Sequence, residues 1–583
     1  MKPNYSFSSV VSRKGSRRTG EKNARKPALG LLMLLLLAPV VFAKELDGLQ
    51  VKTAVETWVR NVTADARPDA VVEKMEPFVV EGLVTAYVVH LAGGGYCLCG
   101  ADDLVLPVYL YSPNGRFDST KLELRDILDG IGYRLSAMRA FSAQLGPTSA
   151  SYQTLISERV AYWADLKAGR VPAKRQLHSP QLNALAAPGA NALVDPTTNA
   201  VDLGTNELDD PGPDTLVLPF TAQWQQGTPY NDQCPELVPG SDSTHTYVGC
   251  TATAAAQIMY FWKWPITGEG SLDEHYIRRY SADWQETPLA NDPNIPAGWE
   301  QELGQGSILD WANGMLRMRG YWDSSLNGWA YWTISTDPDF TAAHDTLFAN
   351  MPDVGTTTNI NFGATTYHWD LLRDVHTNQQ DAGGIEVAQL CHHMGVAIGV
   401  GYGVTETTGG EVVSALKTHF RYDPDATVTS VTDPTAAMLD ISEDLRWFRP
   451  VGLGGCAHHW VTYGYSKATD PNRQFLMNLG GGPGSDHVWE TFDAGPEAGF
   501  CSGLIQLYET RIAPSGVVGF VGASSSGNGS PNSPYQNVEE ALAKANDQTT
   551  LIFKAGSVNT FSTGPLVINR PMTLKGVQAT ITD

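Results

Sequence analysis

The sequence has few basic residues and no long apolar run after its N-terminal region. Lys and Arg number 40 against 62 Asp and Glu, and the formal net charge is -22. Such an acidic balance argues against nucleic acid and anionic membranes as partners. The apolar run at residues 29–43 is too short for a comfortable membrane span, and no later stretch is long enough for one.

Metal-ligand and phosphate-binding patterns are missing as well. Cys391, His392 and His393 are adjacent, so on a helix they point in different directions, and no second cluster has ligand spacing. The glycines at 480–482 resemble a phosphate loop only in composition, because no Lys-Ser/Thr pair and helix follow them. The sequence therefore predicts neither a metal nor a cofactor.

Cysteine is scarce, with seven in 583 residues. Residues 1–43 are predicted to be a signal peptide, because eight basic residues precede the apolar run and a small-residue end. Export to the outside, the cell surface or the periplasm follows. An odd number of cysteines leaves at least one thiol unpaired in an exported chain.

Cys250 is the most informative of these cysteines. It follows Val248-Gly249 and precedes an alanine-rich run to Met259, which is typical of a helix that begins at the cysteine. The unpaired N–H groups and the positive end of the helix dipole favour a thiolate there. The alternative is a buried structural cysteine that behaves as a small apolar residue.

Three other segments favour catalysis. Gln226 lies in a turn-rich segment upstream, His458 and His459 begin a predicted strand, and Asn478 ends a second strand before a glycine-rich loop. The order Gln, Cys, His, Asn suits thiol acyl transfer, in which a base, an orienting amide and an oxyanion donor serve the nucleophile.

These segments resemble the streptopain family, the C10 cysteine peptidases of the papain-like group. The patterns are Gln226-Gly-Thr-Pro-Tyr-Asn, Gly-Cys250-Thr-Ala-Thr-Ala-Ala-Ala-Gln-Ile-Met, a glycine turn followed by His-(x)-aromatic-Val, and Asn478 before glycines. The resemblance implies an α+β papain-like fold at 214–513, with Cys on a helical part and His and Asn on an antiparallel β part. It also implies that Cys250 is the nucleophile, His458 the general base and acid, Asn478 the orienting residue and Gln226 the oxyanion-hole donor, with no cofactor.

The sequence departs from the family pattern in two places. Leu479 and Gly481 replace the tryptophans that follow the asparagine, so the aromatic cover over the Asn–His pair is missing. Two adjacent histidines stand where the family has one. Spacing to Gly464 favours His458 as the base, and His459 would then face away and pack inside the sheet.

The segment before the peptidase region, residues 44–213, is similar to the inhibitory propeptide of the same family. Its pattern is a helix at 53–64, strands within 78–111, an Asn114-Gly115 turn and helices near 120–144 and 150–168. Residues 171–213 lack apolar periodicity and are predicted to be a flexible, cleavable linker. An ordinary accessory α+β domain is the alternative.

Two further segments lie outside this scheme. Residues 260–381 form a tryptophan-rich stretch, predicted to be a packed satellite core or a substrate-shaping insertion. Residues 514–583 combine a Gly/Ser/Asn linker with a helix and short strands at 550–553, 566–568 and 572–574, which resembles the start of a parallel β-helix.

Together these observations predict a secreted cysteine endopeptidase made as an inactive zymogen. Its partners would be protein or peptide substrates and its own propeptide, with no nucleic acid and no stable membrane span. Two alternatives stay open: a catalytically weakened surface binding protein on a peptidase fold, and a cysteine amidase or acyltransferase.

Overall fold

The computed structural model describes residues 45–582 with internal gaps. These gaps are 62–64, 81, 120, 146–149, 171–211, 235–244, 246, 275–286, 289–307, 311–316, 324–327, 332–357, 400–408, 456–457, 495–497, 501–504 and 561–567. The predicted signal peptide, nearly all of the cleavable linker and most of the tryptophan-rich insertion therefore lie outside the described residues.

An α+β unit opens the described chain, and we call residues 45–170 the N-terminal module. It consists of α1 (Gly48–Asn61), β1 (Val72–Val80), β2 (Leu83–Leu91), β3 (Tyr96–Gly100), β4 (Val108–Ser112), α2 (Leu122–Leu145) and α3 (Ala150–Lys167). Helix α1 packs on α3 through a buried apolar face that includes Val51, Val55 and Trp58. The predicted helix, four strands and two helices are all present, and β4 starts after Pro107 because proline donates no ladder hydrogen bond.

The next elements form the region that resembles C10 peptidases in sequence, which we call the peptidase region. Its elements are β5 (Thr215–Val217), α4 (Cys250–Trp262), β6 (Ser271–Glu274), β7 (Thr287–Pro288), β8 (Ile308–Asp310), β9 (Arg317–Asp323), β10 (Gly328–Tyr331), β11 (Thr358–Asn361), α5 (Ala382–Ile398), α6 (Gly409–His419), β12 (Thr427–Ser430), α7 (Pro434–Arg446), β13 (Val451–Gly455), β14 (His458–Ser466), β15 (Gln474–Asn478), β16 (Val488–Thr491) and β17 (Leu507–Thr510). Helices α4 and α5 pack together and α4 packs on β14. The fold is thus α+β and papain-like, with a helical part and an antiparallel β part.

One antiparallel sheet joins the two regions. In the described residues its order is β1-β2-β3-β4-β16-β15-β14-β13-β17-β12, and β5 pairs with β14. The junction is β4 with β16, where Tyr111 lies opposite Trp489. Buried apolar residues of both regions form one continuous core. The N-terminal module therefore extends the sheet that carries the predicted histidine and asparagine.

The C-terminal segment has a different architecture. It comprises β18 (Val518–Val521), α8 (Val538–Lys544), β19 (Thr550–Phe553), β20 (Val558–Thr560), β21 (Thr573–Gly576) and β22 (Thr580–Thr582). Strands β18, β19 and β21 pair in parallel, as do β20 and β22. Parallel stacking of short strands fits the predicted β-helix-like start. The strand expected at 566–568 falls mostly outside the described residues, and Ile568 itself is not in a strand.

Candidate active site

Cys250 is the first residue of α4. Gly249 precedes it with φ of 90°, a left-handed conformation that glycine adopts readily and other residues rarely do. Its carbonyl accepts the first helical hydrogen bond, from Thr253 N–H at 3.0 Å. The chain therefore turns sharply into the helix, and the nearly buried Cys250 side chain lies at the positive end of the helix dipole.

His458 is the first residue of β14. Its Nε2 lies 2.9 Å from the main-chain oxygen of Leu479. A carbonyl can only accept, so Nε2 must carry a proton, and Nδ1 is left to exchange one with a thiol. The ring is stacked on Trp460, with centroids 5.9 Å apart and planes inclined by 12°. An aromatic residue from the histidine's own strand therefore supports the imidazole.

The two residues interact directly. Burial raises the pKa of the Cys250 thiol, but the hydrogen bond and the positive charge of His458 outweigh it, and the charge and main-chain N–H of His459 act in the same direction. The resulting pKa is about 7. A thiol with this pKa is substantially ionised at neutral pH, as a nucleophile requires.

Asn478 is fully buried at the end of β15. Its Nδ2 donates to the Ala222 carbonyl at 2.6 Å and to Gln257 Oε1 at 2.8 Å, and its Oδ1 accepts from Gly480 N–H at 2.8 Å. The resemblance leads us to expect an amide that holds the imidazole directly. In this structure the carbonyl of Leu479, the next residue, meets His458 instead, and Asn478 fixes the turn that presents it.

Gln226 reaches the site through its main chain. Its carbonyl accepts a hydrogen bond from Val248 N–H at 3.1 Å, two residues before Cys250. The half-buried Gln226 is thereby held beside the start of α4. All four residues predicted from the sequence thus belong to segments that converge on this helix end.

Gln257 is a structural residue that the sequence reasoning did not single out. It lies on α4 two turns after Cys250 and is fully buried. Its Oε1 accepts from Asn478 Nδ2 and from Trp224 N–H at 3.4 Å, so it links the three segments. Its role could have been inferred from the sequence, because Gln257 is a long polar side chain in a helix of mainly small and apolar residues.

The glycine loop, residues 480–484, lies between the site and the N-terminal module. On one side, Gly482 N–H donates to the Trp224 carbonyl at 3.0 Å. On the other side, Lys121 Nζ donates to the Gly481 carbonyl at 2.7 Å and the Tyr96 hydroxyl to the Gly484 carbonyl at 3.1 Å. The N-terminal module therefore contacts the loop that directly follows Leu479.

The described residues include no group of three or more His, Cys, Asp and Glu that could hold a metal ion. Nor does any helix in this part of the chain combine the length and apolarity needed to cross a membrane. Five cysteines lie in described segments and all are buried, and Cys97, Cys99, Cys250 and Cys391 are free thiols.

The comparison with protein families agrees with this site. The family model described as "Peptidase C10 family" matches residues 224–316 and 336–489. A solved structure of a fragment of Prevotella intermedia prointerpain A, a cysteine-to-alanine mutant, is similar at 18% identity and TM-score 0.42, covering 76% of this chain and 99% of that one. The active wild-type interpain A cysteine protease of the same organism is similar at 21% identity and TM-score 0.33, covering 52% and 97%. No curated protein matches the sequence.

The matched residues include Gln226, Cys250, His458 and Asn478, around the helix end described above. Over these residues, which make up less than half of the chain, the sequence is similar to the C10 family of cysteine peptidases.

Proposed function

We propose that this chain is an exported cysteine endopeptidase made as a zymogen, and that cleavage between residues 171 and 213 activates it. The observation that carries the proposal is the pairing of Cys250 with His458, which brings the thiol pKa to about 7. Residues 1–43 support export, and the resemblance of the N-terminal module to the family's inhibitory propeptide supports a zymogen.

In the proposed reaction, the Cys250 thiolate attacks the carbonyl carbon of a peptide bond. The new C–S bond pushes the π electrons onto oxygen, and the Cys250 N–H and the Gln226 side-chain amide would stabilise that oxyanion. His458 gives its Nδ1 proton to the leaving amine as the C–N bond breaks, which leaves a thioester. His458 then takes a proton from water, the resulting hydroxide attacks the thioester carbonyl, and the C–S bond breaks to release the acid product and restore the Cys250 thiolate beside protonated His458.

His458 must hold its ring in one orientation through both proton transfers. The Leu479 carbonyl supplies that restraint at Nε2, and Trp460 supplies it from the ring face. Asn478 would orient His458 indirectly, through the Leu479 carbonyl, because its hydrogen bonds to Gln257 and Gly480 fix the turn at Leu479.

Latency would come from the N-terminal module. The hydrogen bonds from Lys121 and Tyr96 to the glycine loop would restrain the segment that presents the Leu479 carbonyl to His458. Removal of the module would release that loop and allow the site to adopt its working arrangement.

The test uses the full chain with Cys250→Ala and, as a matched control, Cys391→Ala, which removes another buried thiol on α5. We expect Cys250→Ala to abolish casein cleavage, labelling by an epoxide thiol-protease inhibitor and the appearance of a new N-terminus within residues 171–213. Cys391→Ala should retain all three. Undiminished cleavage by Cys250→Ala would rule the mechanism out, and an unlabelled, inactive wild type after module removal would favour a binding protein.

A further inference from the structure

A buried ionisable pair lies directly beside the catalytic histidine. Glu509 on β17 is fully buried and His459 on β14 is 4% exposed. The His459 Nε2 and Glu509 Oε2 atoms are 3.5 Å apart. Among the described residues, neither carboxylate oxygen of Glu509 has a hydrogen-bond partner. An isolated buried carboxylate is strongly unfavourable, so a positive charge on His459 is the compensation available to it.

The sheet provides a slot for this pair. Strand β13 lies between β14 and β17, with Gly454 opposite His459 and Gly452 opposite Glu509. A β-carbon on Gly452 would lie 2.3 Å from Glu509 Oε2 and 3.1 Å from His459 Nε2, and one on Gly454 would lie 3.4 Å from His459 Nδ1. Strands two places apart are separated by roughly 10 Å, so these side chains meet only because glycines line the strand between them.

The pair is connected to the active site through the backbone. His459 follows His458 at the start of β14, and β14 packs against α4, which begins at Cys250. A hydrogen bond from the His459 main chain and the charge of its ring both lower the pKa of Cys250, after the larger effects of burial, which raises it, and of His458. The family pattern that this segment resembles has one histidine where this chain has two, so the second imidazole is a feature of this chain.

We propose that His459, held by Glu509, is a positioning residue of the cysteine peptidase site: its imidazolium fixes the start of β14 and places a second positive charge near the Cys250 thiolate. The proposal rests on the proposed function, since it assigns a role within that site. It explains why Gly452, where a β-carbon would clash with the Glu509 carboxylate, is a glycine.

Other charged groups around the pair are engaged elsewhere. Strands β12 and β13 contribute no titratable side chain. Asp440 of α7 accepts from the Tyr508 hydroxyl, while His419 of α6 bonds the Glu269 carbonyl and Glu411 is exposed. Helix α7 also carries Glu443, Asp444 and Arg446, of which Glu443 pairs with Arg446 and Lys554 and Asp444 pairs with Arg449. Lys417 of α6 acts on Asp423, and the charge of His459 acts on Cys250.

The experiment measures alkylation of Cys250 by iodoacetamide between pH 5 and 9, read from the Cys250 peptide by mass spectrometry. It does not depend on peptide hydrolysis. The full chain is compared with His459→Ala, Glu509→Gln and the double variant. We expect each variant to raise the pH of half-maximal alkylation by roughly half a unit to one unit. The double variant should match the single variants, because none of the three has a positive charge at residue 459.

A role in packing alone would lower the thermal midpoint of unfolding without moving the alkylation midpoint, and that result would overturn the proposal. His459→Ala leaves Glu509 buried without its partner, so it could fail to fold. Glu509→Gln and the double variant, which keep no unpaired charge, then decide the question.

His458→Ala separates this proposal from the proposed function. If it raises the alkylation midpoint while the His459 and Glu509 variants leave it unchanged, the inference fails and the peptidase mechanism stands. If even His458→Ala leaves the midpoint unchanged, the proposed function itself fails.

Discussion

Two of the contacts between the N-terminal module and the peptidase region differ in burial and in chemistry. At the anchor, Arg159 donates to Asp493 at 2.6 Å and the Tyr109 hydroxyl donates at 2.9 Å, while Arg134 lies 3.7 Å away, all deep in the protein. At the glycine loop the contacts are hydrogen bonds to main-chain carbonyls, from the half-buried Lys121 and from the Tyr96 hydroxyl. Buried ion pairs resist separation, whereas individual hydrogen bonds to carbonyls contribute less, so we expect the module to be held mainly at the anchor and to act on the site through the loop.

This difference suggests that, in a zymogen, the anchor would hold the module and the loop contact would act on the active site. The anchor also includes a hydrogen bond from Arg134 to the Phe500 carbonyl at 2.8 Å, next to aromatic rings of the shared core. Such an interface would hold the module on the uncleaved chain. The loop contact is weak enough to yield, which is what a release step needs.

Asp493→Ala breaks the anchor and should give the largest effect. Arg159 and the Tyr109 hydroxyl would lose their acceptor and Arg134 its counterion, and we expect a loss of about 3–5 kcal/mol in the free energy of unfolding. Urea titration followed by circular dichroism measures it.

The matched control for the anchor is Asp165→Asn in α3. Its partner Arg170 is largely exposed, so we expect a change below ~1 kcal/mol. Equal losses in the two variants would show that the buried pairs do not hold the module more firmly than a surface pair.

The active site, unlike the anchor, depends on pH in the neutral range. Because the pKa of Cys250 is lowered to about 7, its thiolate is lost as pH falls below that value. Alkylation should therefore be half-maximal near pH 7 and roughly tenfold below its plateau at pH 6. Arg159 stays charged there, since Asp493 raises its pKa against the opposing effect of burial.

Cys391 in the same protein is the internal control for this profile. Burial without a compensating charge raises the pKa of its thiol, so it should stay unreactive over the same range. A Cys250 profile that rises only above pH 8 would mean that His458 does not act on the thiol.

Much of this site could be predicted from local sequence. Gly249 before an alanine-rich run fixes where α4 begins, and the alternation after His458 fixes a strand. Both depend on neighbours within a few residues. The helices and strands of the N-terminal module were predictable for the same reason, with ends displaced by a few residues.

The contacts that tune the site could not be found this way. The Leu479 carbonyl reaches His458 because β15 ends one residue earlier, which no motif encodes. Glu509 lies fifty residues after His459 and meets it only through the order of strands β14, β13 and β17. Asp493 likewise acquires its arginines from a module more than three hundred residues earlier in the chain. Tertiary pairing of this kind is set by the whole fold.

Lys121→Ala should give the smallest change in stability and the most selective change in reactivity. It removes the hydrogen bond to the Gly481 carbonyl and two long ones, to the Pro483 carbonyl at 3.4 Å and to Ser485 Oγ at 3.5 Å. Because the lysine is only half-buried, the free energy of unfolding should change by less than ~1 kcal/mol. Because these bonds restrain the loop that follows Leu479, the epoxide inhibitor should label Cys250 of the uncleaved chain a few-fold faster. Lys52→Ala, in α1 of the same module, is the control and should label like the wild type. If Lys121→Ala labels no faster than Lys52→Ala, the loop contact does not restrain the site, and latency must come from the anchor or from direct blocking of the cleft.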